Sequence, residues 1–223
     1  MSDQATTIIL VRHGETSANT ERVWHGSTDT ALSDRGWEQA RLVARHLAEA
    51  EPPATALYTS HLQRASNTAR EIGKAQSLLP RIDRGVAEYH LGAWEGRRFH
   101  DLLVQEDFWT RIHGDPDFAP AEGESVRQVA DRFADSMRKI AETHPGERVI
   151  VVSHGGAMAL GLGWLIDGHY SSWKRIMNNC AISELILGPK PRLARLARLN
   201  DSAHLVGVEL ADPRDLGGDE GSD

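Results

Sequence analysis

The chain has 223 residues, of which 40% are hydrophobic and 26% are charged, a composition that is ordinary for a soluble globular protein. This length suits a single α/β domain with a substantial core. The net charge of −7 gives no indication of a nucleic-acid partner, although it does not exclude a locally positive pocket.

Targeting and metal-binding patterns are missing from the sequence. Residues 1–7 are polar and lack a signal-peptide pattern. The longest apolar run, around residues 157–166, predicts a buried helix that is too short to span a membrane. The single cysteine, Cys180, excludes an internal disulfide and suits a reducing compartment. There is no CxxC, HExxH or EF-hand motif. We therefore expect a cytoplasmic protein with no metal, no cofactor and no membrane partner.

The first predicted element is an apolar, partly β-branched run at residues 8–11, which is typical of a buried parallel strand. It ends in Arg12, His13 and Gly14. Ligands of open α/β sheets bind beyond the carboxyl ends of the strands. Arginine offers a donor fork suited to phosphate, and histidine can be a nucleophile or a proton carrier. The sequence therefore predicts a site at the end of this strand.

The next elements alternate between helices and strands. Ser33 caps a helix with one apolar face, which ends before the prolines at residues 52–53. Residues 56–59 form a predicted strand, and the helix after it carries Arg64 in its first turn. A cation there opposes the helix dipole, as expected of an arginine placed for a ligand, although a single such residue is more often a solvated surface arginine. Residues 80–83 are predicted to form a short edge strand.

The middle of the chain combines irregular and helical patterns. Residues 88–96 mix aromatics, glycines and acids without periodicity, which predicts an ordered loop. Residues 98–122 are rich in aromatics and interrupted by prolines, which indicates short helices over one rim of the sheet. Ser125 then caps a long amphipathic helix.

A second apolar run, at residues 149–152, predicts another buried strand, which ends in Ser-His-Gly-Gly at 153–156. Two buried strands that both end in His-Gly can be neighbours in one sheet, and this arrangement would bring His13 and His154 to the same edge. A lone loop histidine is more often structural. Two histidines in the same strand context, one of them beside an arginine, favour a functional site.

Residues 180–187 and 193–199 predict two further strands, joined as a hairpin, and the acidic segment 212–223 is predicted to be disordered. The alternation of strands and helices predicts an α/β fold, a three-layer α/β/α sandwich with a mostly parallel central sheet and an antiparallel edge. We expect one domain over residues 1–211 with a short insert at about 97–122.

Several motifs occur in a fixed order along the chain. They are LVRHGET at 10–16 with Asn19, TSHLQRA at 59–65, Glu88 with WEG at 94–96, GES at 123–125 and SHGG at 153–156. In this order, each after a strand or at a helix start, these motifs resemble the histidine phosphatase superfamily, which includes cofactor-dependent phosphoglycerate mutase. The resemblance runs from about residue 8 to residue 205 and implies a phosphoglycerate mutase-like fold.

The resemblance implies phosphoryl transfer through a phosphohistidine on His13, with Glu88 protonating the leaving oxygen and later deprotonating water. It also implies a set of residues that bind phosphate or substrate: Arg12, Thr16, Asn19, His25, Gly26, Arg64, His154 and Gly155. Among these, Arg12, Arg64 and His154 would take part in catalysis. His25 stands where relatives often have glutamine, so this sequence departs from the family pattern there.

Elementary chemistry agrees with these roles. A transferring phosphoryl group carries spread negative charge and requires fixed donors, which two guanidiniums can supply without a metal ion. His13 must be neutral to attack, and neighbouring cations push its pKa down. Its other ring nitrogen requires an acceptor, for which we expect a backbone carbonyl. Glu88 must be protonated for the first step.

Other charged and aromatic residues near the motifs are expected to lie outside the set that binds phosphate or to have alternative roles. Glu15 is expected to lie behind the site or in solvent, Glu95 in solvent, and Trp94 in the core. For His90, a contact with substrate and a structural role are equally good alternatives. Arg97 and Arg98 are better explained as a solvated pair than as substrate contacts.

Two alternatives to a phosphatase remain open. A phosphoglycerate-type mutase must retain a bisphosphate, and relatives that are mutases have a longer insert with extra basic residues. The insert here is short and carries many acids, which gives the rim an aromatic, acidic character and favours hydrolysis of a small phosphomonoester. A non-catalytic phospholigand-binding protein would not require both His13 and Glu88. The sequence does not name the substrate, and pairing with a second copy as a homodimer stays open.

Overall fold

The computed structural model describes residues 4–170, 175–188 and 194–208. Its strands are β1 (Thr6–Arg12), β2 (Val23–Trp24), β3 (Ala56–Thr59), β4 (Pro80–Ile82), β5 (Arg97–Arg98), β6 (Arg148–Ser153), β7 (Ile182–Leu187) and β8 (Ala194–Asp201). Its helices are α1 (Ser17–Glu21), α2 (Asp34–Ala48), α3 (Gln63–Gln76), α4 (Phe99–Gln105), α5 (Phe108–Gly114), α6 (Val126–Thr143) and α7 (Gly155–Leu162).

Strand β1 lies inside a six-stranded sheet with the order β4-β3-β6-β1-β7-β8. The first four strands run parallel, and β7 and β8 add an antiparallel edge. The predicted α/β fold with a mostly parallel sheet and an antiparallel edge is confirmed. The register pairs Arg12 with Ser153, so β1 and β6 end side by side, as the two His-Gly endings predicted.

The side chains of β1 alternate between two cores, one on each face of the sheet. Ile9 and Val11 pack with α2 and α3, whereas Ile8 and Leu10 pack with α6 and α7. All four side chains are fully buried. Both faces of the sheet are therefore covered by helices, which completes the three layers. Within the described ranges, no helix has the length and apolar character required to cross a membrane.

Helix α2 begins directly against the loop that follows β1. The hydroxyl of Ser33 accepts a hydrogen bond from the Gly36 N–H, as its predicted capping role requires. A Cβ atom on Gly14 would lie 2.4 Å from the Gly36 carbonyl oxygen, so only glycine permits this approach of the two segments. The start of α2 therefore supports the backbone that carries His13.

The structure differs from the sequence prediction at residues 97–98 and at the helix around residues 157–166. Residues 97–98 form β5, which pairs with β2 in a second, two-stranded sheet that was not predicted. The helix predicted at 157–166 begins at Gly155 and continues beyond Leu162 as a π-helical turn to Asp167. The hairpin connection at 189–193 and the tail at 212–223 lie outside the described residues.

Candidate active site

The ends of β1 and β6 place the rings of His13 and His154 together, with centroids 5.1 Å apart and planes inclined by 57°. Both side chains are buried. Each follows a strand whose last five residues are buried and which pairs with a neighbouring strand on both sides, so the sheet holds the backbone at this edge. The first consequence of the fold is a pair of imidazoles at the carboxyl edge of neighbouring strands.

The hydrogen bonds of His13 determine its tautomer. Its Nδ1 lies 2.7 Å from the Gly14 carbonyl oxygen, which can only accept, so Nδ1 carries the proton and Nε2 carries a lone pair. This contact confirms the predicted backbone acceptor. Burial, followed by the charges of Arg64 and Arg12, lowers the pKa of His13 well below its usual value. The imidazole is therefore neutral and suited to nucleophilic attack.

His154 has the opposite tautomer. Its Nδ1 accepts a hydrogen bond from Nε of Arg64 at 3.2 Å, so Nε2 carries the proton. That Nε2 is buried and has no hydrogen-bond partner within the described residues. Burial and the charge of Arg64 lower the pKa of His154 well below its usual value. The site therefore contains one neutral imidazole with a free lone pair and another with a free N–H.

Arg64 is held at three of its N–H groups. Besides the bond to His154, Nη1 donates to the Thr28 carbonyl at 2.9 Å and Nη2 donates to the Gly26 carbonyl at 2.7 Å. Burial lowers its pKa, whereas the charge of Glu88 acts in the opposite direction. Arg64 is 4% exposed, so the explanation as a solvated surface arginine is wrong.

Arg12 is the second buried guanidinium of the site. Its Nη1 donates to the Met177 carbonyl at 2.5 Å, and its Nε has no partner among the described residues. Burial lowers its pKa to about 10, which still leaves it charged at neutral pH. A Cβ atom on Gly155 would lie 3.3 Å from Cζ of Arg12, so this glycine lets the start of α7 pack on the guanidinium.

The carboxyl group of Glu88 accepts three backbone hydrogen bonds. Oε1 accepts from the N–H groups of Tyr89 and Ala157, both at 2.8 Å, and Oε2 accepts from that of Gly156 at 3.1 Å. The side chain therefore lies at the N-terminus of α7 while lining the same cleft as His13. Oε2 therefore accepts one of these backbone hydrogen bonds and Oε1 accepts two.

Arg132, which the sequence analysis did not single out, holds the loop that carries Glu88. Its guanidinium donates to the carbonyls of Gly85, Ala87 and Glu88 at 2.6–2.9 Å and to the carboxylate of Glu124. Glu124 in turn accepts from the His90 N–H at 3.0 Å. The GES motif at 123–125 was a sequence signal for Glu124, but nothing local indicated its partner.

Asn19 and Thr16 form a linked pair at the start of α1. The hydroxyl and the N–H of Thr16 both donate to Oδ1 of Asn19. The same Oδ1 also accepts a hydrogen bond from Nδ2 of Asn179 at 3.3 Å. These donors leave the amide nitrogen of Asn19 available to the cleft, which both residues line. The hydroxyl of Thr16 is committed to Asn19, so its contribution to phosphate binding would be indirect.

The segment 25–28, which carries two acceptors of Arg64, is held by Glu95. The carboxylate accepts from the N–H and hydroxyl groups of Ser27, at 2.7 and 2.6 Å, and from both groups of Thr28. Burial would raise the pKa of Glu95, but the hydrogen bonds from Ser27 and Thr28 lower it. The prediction that Glu95 is solvated is wrong, because its side chain is 14% exposed.

These residues surround a cleft of about 80 Å³. Its lining includes every predicted site residue except His154, which is fully buried beside Arg64: Arg12, His13, Thr16, Asn19, His25, Gly26, Arg64, Glu88 and Gly155. The acids of the insert do not line it, so the expected acidic rim is wrong. No group of His, Cys, Asp and Glu within the described ranges is placed to hold a metal ion.

The motifs and the geometry agree with a comparison against protein families. The model described as "Histidine phosphatase superfamily (branch 1)" matches residues 8–202. The chain belongs to the histidine phosphatase superfamily.

Relatives of the chain include proteins named as mutase-like and as phosphatases. It is 38% identical over 160 residues to "Phosphoglycerate mutase-like protein 4" of Arabidopsis thaliana, covering 68% of this chain and 67% of the relative. It is 36% identical over 163 residues to "Metal-independent phosphoserine phosphatase" of the same plant, covering 71% of this chain and 68% of the relative. A solved mutant phosphoserine phosphatase of Entamoeba histolytica, in complex with phosphoserine, superposes with a TM-score of 0.80 at 25% identity, covering 90% and 100%.

The remaining charged and aromatic residues near the motifs lie outside the lining of the cleft. Glu15 is buried, and its carboxylate accepts a hydrogen bond from the Ser33 hydroxyl at 2.8 Å. It therefore lies behind the site, which was one of the two positions expected for it. Trp94 is buried in the core, as predicted. Arg97 pairs with Glu106 of the insert at 2.6 Å rather than with the cleft. His90, whose side chain is 43% exposed, and the exposed Arg98 do not contribute to the lining either.

Proposed function

We propose that this protein hydrolyses small phosphomonoesters through a phosphohistidine on His13, without a metal ion. The observation that carries the proposal is the hydrogen bond from Nδ1 of His13 to the Gly14 carbonyl, which leaves a neutral Nε2 lone pair in a cleft flanked by two guanidiniums. A neutral nucleophile beside fixed cations is what attack on a phosphate dianion requires.

In the first step, Nε2 of His13 attacks phosphorus, and the bond from phosphorus to the ester oxygen breaks. Glu88 gives its proton to that oxygen, so the leaving group departs as an alcohol. Arg12, Arg64 and the N–H of His154 donate to the phosphoryl oxygens as their charge spreads. The role of His154 is supported by its buried Nε2, which has no other partner in the described structure.

In the second step, water attacks the phosphohistidine on the same face that the alcohol left. Glu88, now ionised, takes a proton from that water, the bond between phosphorus and Nε2 breaks, and inorganic phosphate leaves. The proton returns Glu88 to its starting state and His13 regains its lone pair. No atom outside the chain, the ester and water is required.

A phosphoglycerate-type mutase is the main competing function, and the names of relatives include it. A mutase retains a doubly phosphorylated intermediate, which requires cations beyond those that hold one phosphoryl group. Among the described lining residues of the cleft, Arg22 is the single arginine or lysine besides Arg12 and Arg64. This shortage of positive charge favours hydrolysis.

The experiment that tests the proposal is hydrolysis of a phosphomonoester panel in EDTA by the wild type and by His13→Ala. The panel includes p-nitrophenyl phosphate, phosphoserine, 3-phosphoglycerate, sugar phosphates and α-ribazole phosphate. We expect EDTA-resistant release of phosphate that the variant lacks. Interconversion of 2- and 3-phosphoglycerate without net hydrolysis would indicate a mutase, and binding of esters without turnover would indicate a phospholigand-binding protein.

A further inference from the structure

We propose that the physiological ester has an apolar leaving group, which binds against the side chains of Val23, Trp24, Phe99 and Ile176. We call these four residues the apolar wall. They line the same cleft as His13 and Glu88 and lie outside the set that would hold the phosphoryl group. The proposal rests on the proposed phosphatase function and specifies its substrate class.

The apolar wall is held by the small sheet of β2 and β5. The register pairs Val23 with Arg98 and Trp24 with Arg97. The Gly96 N–H donates to the Trp24 carbonyl at 2.9 Å, and the Phe99 N–H donates to the Arg22 carbonyl at 3.2 Å. Backbone hydrogen bonds thus join the insert to the segment after α1. The residue that the insert contributes to the lining of the cleft is Phe99.

The aromatic members of the wall are preorganised by ring packing. The ring of Trp24 lies 5.3 Å from those of both Phe99 and Phe108 and 6.2 Å from that of Tyr89, each in an edge-to-face arrangement. Phe108 and Tyr89 are fully buried. A ligand therefore meets a surface whose side chains are already ordered, which reduces the entropy lost on binding.

The polar groups near the wall offer little to a polyhydroxylated or polyanionic leaving group. Nδ1 of His25 is engaged by Oγ1 of Thr30 at 2.5 Å. Arg22 is exposed and is the single arginine or lysine of the described lining outside the phosphoryl site. Because buried hydroxyl or carboxylate groups without partners are costly, such substrates would lose more on desolvation than they gain.

The test is a series of n-alkyl phosphates from ethyl to hexyl, in which the acidity of the departing alcohol changes little. Differences in kcat/KM along the series therefore report contact with the wall and not the chemical step. Each buried methylene is worth about fourfold in binding, so we expect butyl phosphate to exceed ethyl phosphate by roughly 15-fold. We also expect butyl phosphate to exceed glycerol phosphate, phosphoserine and 3-phosphoglycerate.

In a variant with Val23→Thr and Ile176→Thr, both substitutions add a hydroxyl group to the wall; the first keeps the shape of the side chain, and the second also removes the Cδ1 methyl group. We expect it to reduce the ratio of butyl to ethyl phosphate turnover at least about threefold. The matched control is Val104→Thr, because Val104 is 69% exposed on α4, and the ratio should not change. For each protein, the reaction with ethyl phosphate is also stopped by quenching, and the amount of phosphorylated enzyme is measured.

The outcomes separate the two proposals. A flat series, or a preference for a hydroxylated or carboxylated ester, together with phosphoenzyme formation would overturn the apolar leaving group and leave the phosphatase intact. An unchanged ratio in the threonine variant would also overturn the role of the wall. Absence of phosphoenzyme with every ester would overturn the proposed function and this inference with it.

Discussion

His13 and His154 lie with their ring centroids 5.1 Å apart and carry their protons on opposite nitrogens. The Gly14 carbonyl requires a proton on Nδ1 of His13, and the Arg64 guanidinium requires a bare Nδ1 on His154. The same fold position on two neighbouring strands therefore leaves a lone pair on Nε2 of His13 and an N–H on Nε2 of His154, which the proposed mechanism uses as nucleophile and donor. The predictions below test this division of roles and the residues that maintain it.

His154→Phe removes the unpartnered Nε2–H while keeping a planar ring. Loss of one preorganised donor to a developing oxyanion costs about 10²–10³ in kcat, and we expect a loss in that range. Pre-steady-state kinetics with p-nitrophenyl phosphate measures the first step directly. A first step of unchanged rate would contradict the donor role of His154.

Arg64→Lys keeps the charge but loses the planar fork that reaches three acceptors. We expect kcat/KM to fall by about 10²-fold, because the phosphoryl site and the Nδ1 contact of His154 are both disturbed. Arg70→Lys, on the exposed face of α3, is the matched control and should remain within about twofold. Equal effects of the two substitutions would show that Arg64 acts only as a surface charge.

Glu88→Gln removes the proton donor without changing the size of the side chain. General acid catalysis is worth about 10²–10⁴-fold when the leaving group is poor, so alkyl phosphates should lose that much activity. p-Nitrophenyl phosphate leaves without protonation and should lose far less in the first step. Rate constants for both substrates compared in one variant decide the matter, and equal losses would argue against the acid role.

Glu95→Gln tests whether the 25–28 segment positions Arg64. Ser27 donates to one carboxylate oxygen and Thr28 to the other, so replacing either oxygen by an amide NH2 loses the bonds from one of the two residues. A lost hydrogen bond to a charged group is worth about 1.5–3 kcal/mol. We expect weaker inhibition by inorganic phosphate, by roughly tenfold. Glu106→Gln, which breaks an ion pair of the insert, is the control and should leave phosphate inhibition unchanged.

The buried neutral histidines make the stability of the fold depend on pH. The folded pKa values of His13 and His154 lie well below 6.5, so below that pH the unfolded chain binds more protons and stability is lost. Each histidine contributes about 1.4 kcal/mol per pH unit in that range. Urea unfolding of His154→Gln should therefore have a shallower pH slope than the wild type. His100→Gln, at an exposed position, should keep the wild-type slope, and an identical slope for all three proteins would contradict the account.

The sequence was sufficient for the framework of the site, because its signals are local. The apolar runs of β1 and β6 identified neighbouring strands, and the motifs at their ends identified the two histidines. The tautomer of His154 could not be predicted, because it depends on Arg64, which lies 90 positions away in the chain. Glu95 was assigned to solvent for the same reason, since its donors are 67 and 68 positions away.

The second sheet escaped prediction on different grounds. Strands β2 and β5 have two residues each, which is too short for any period to appear. Without that sheet, the insert appeared as an acidic cover, and its contribution of Phe99 to the cleft could not be foreseen. Arg132 was missed because a long helix normally carries solvated arginines, and only the folded chain brings it to the Glu88 loop.

The central claim is that His13 becomes phosphorylated, and trapping the intermediate tests it most directly. Glu88→Gln should accept the phosphoryl group from labelled p-nitrophenyl phosphate and release it slowly, because the base that activates water is gone. After an alkaline quench we expect a stoichiometric, alkali-stable and acid-labile label that peptide mapping places on His13, and no label in the double variant that also carries His13→Ala. Label on another residue, or a burst of p-nitrophenol without labelled protein, would contradict the account.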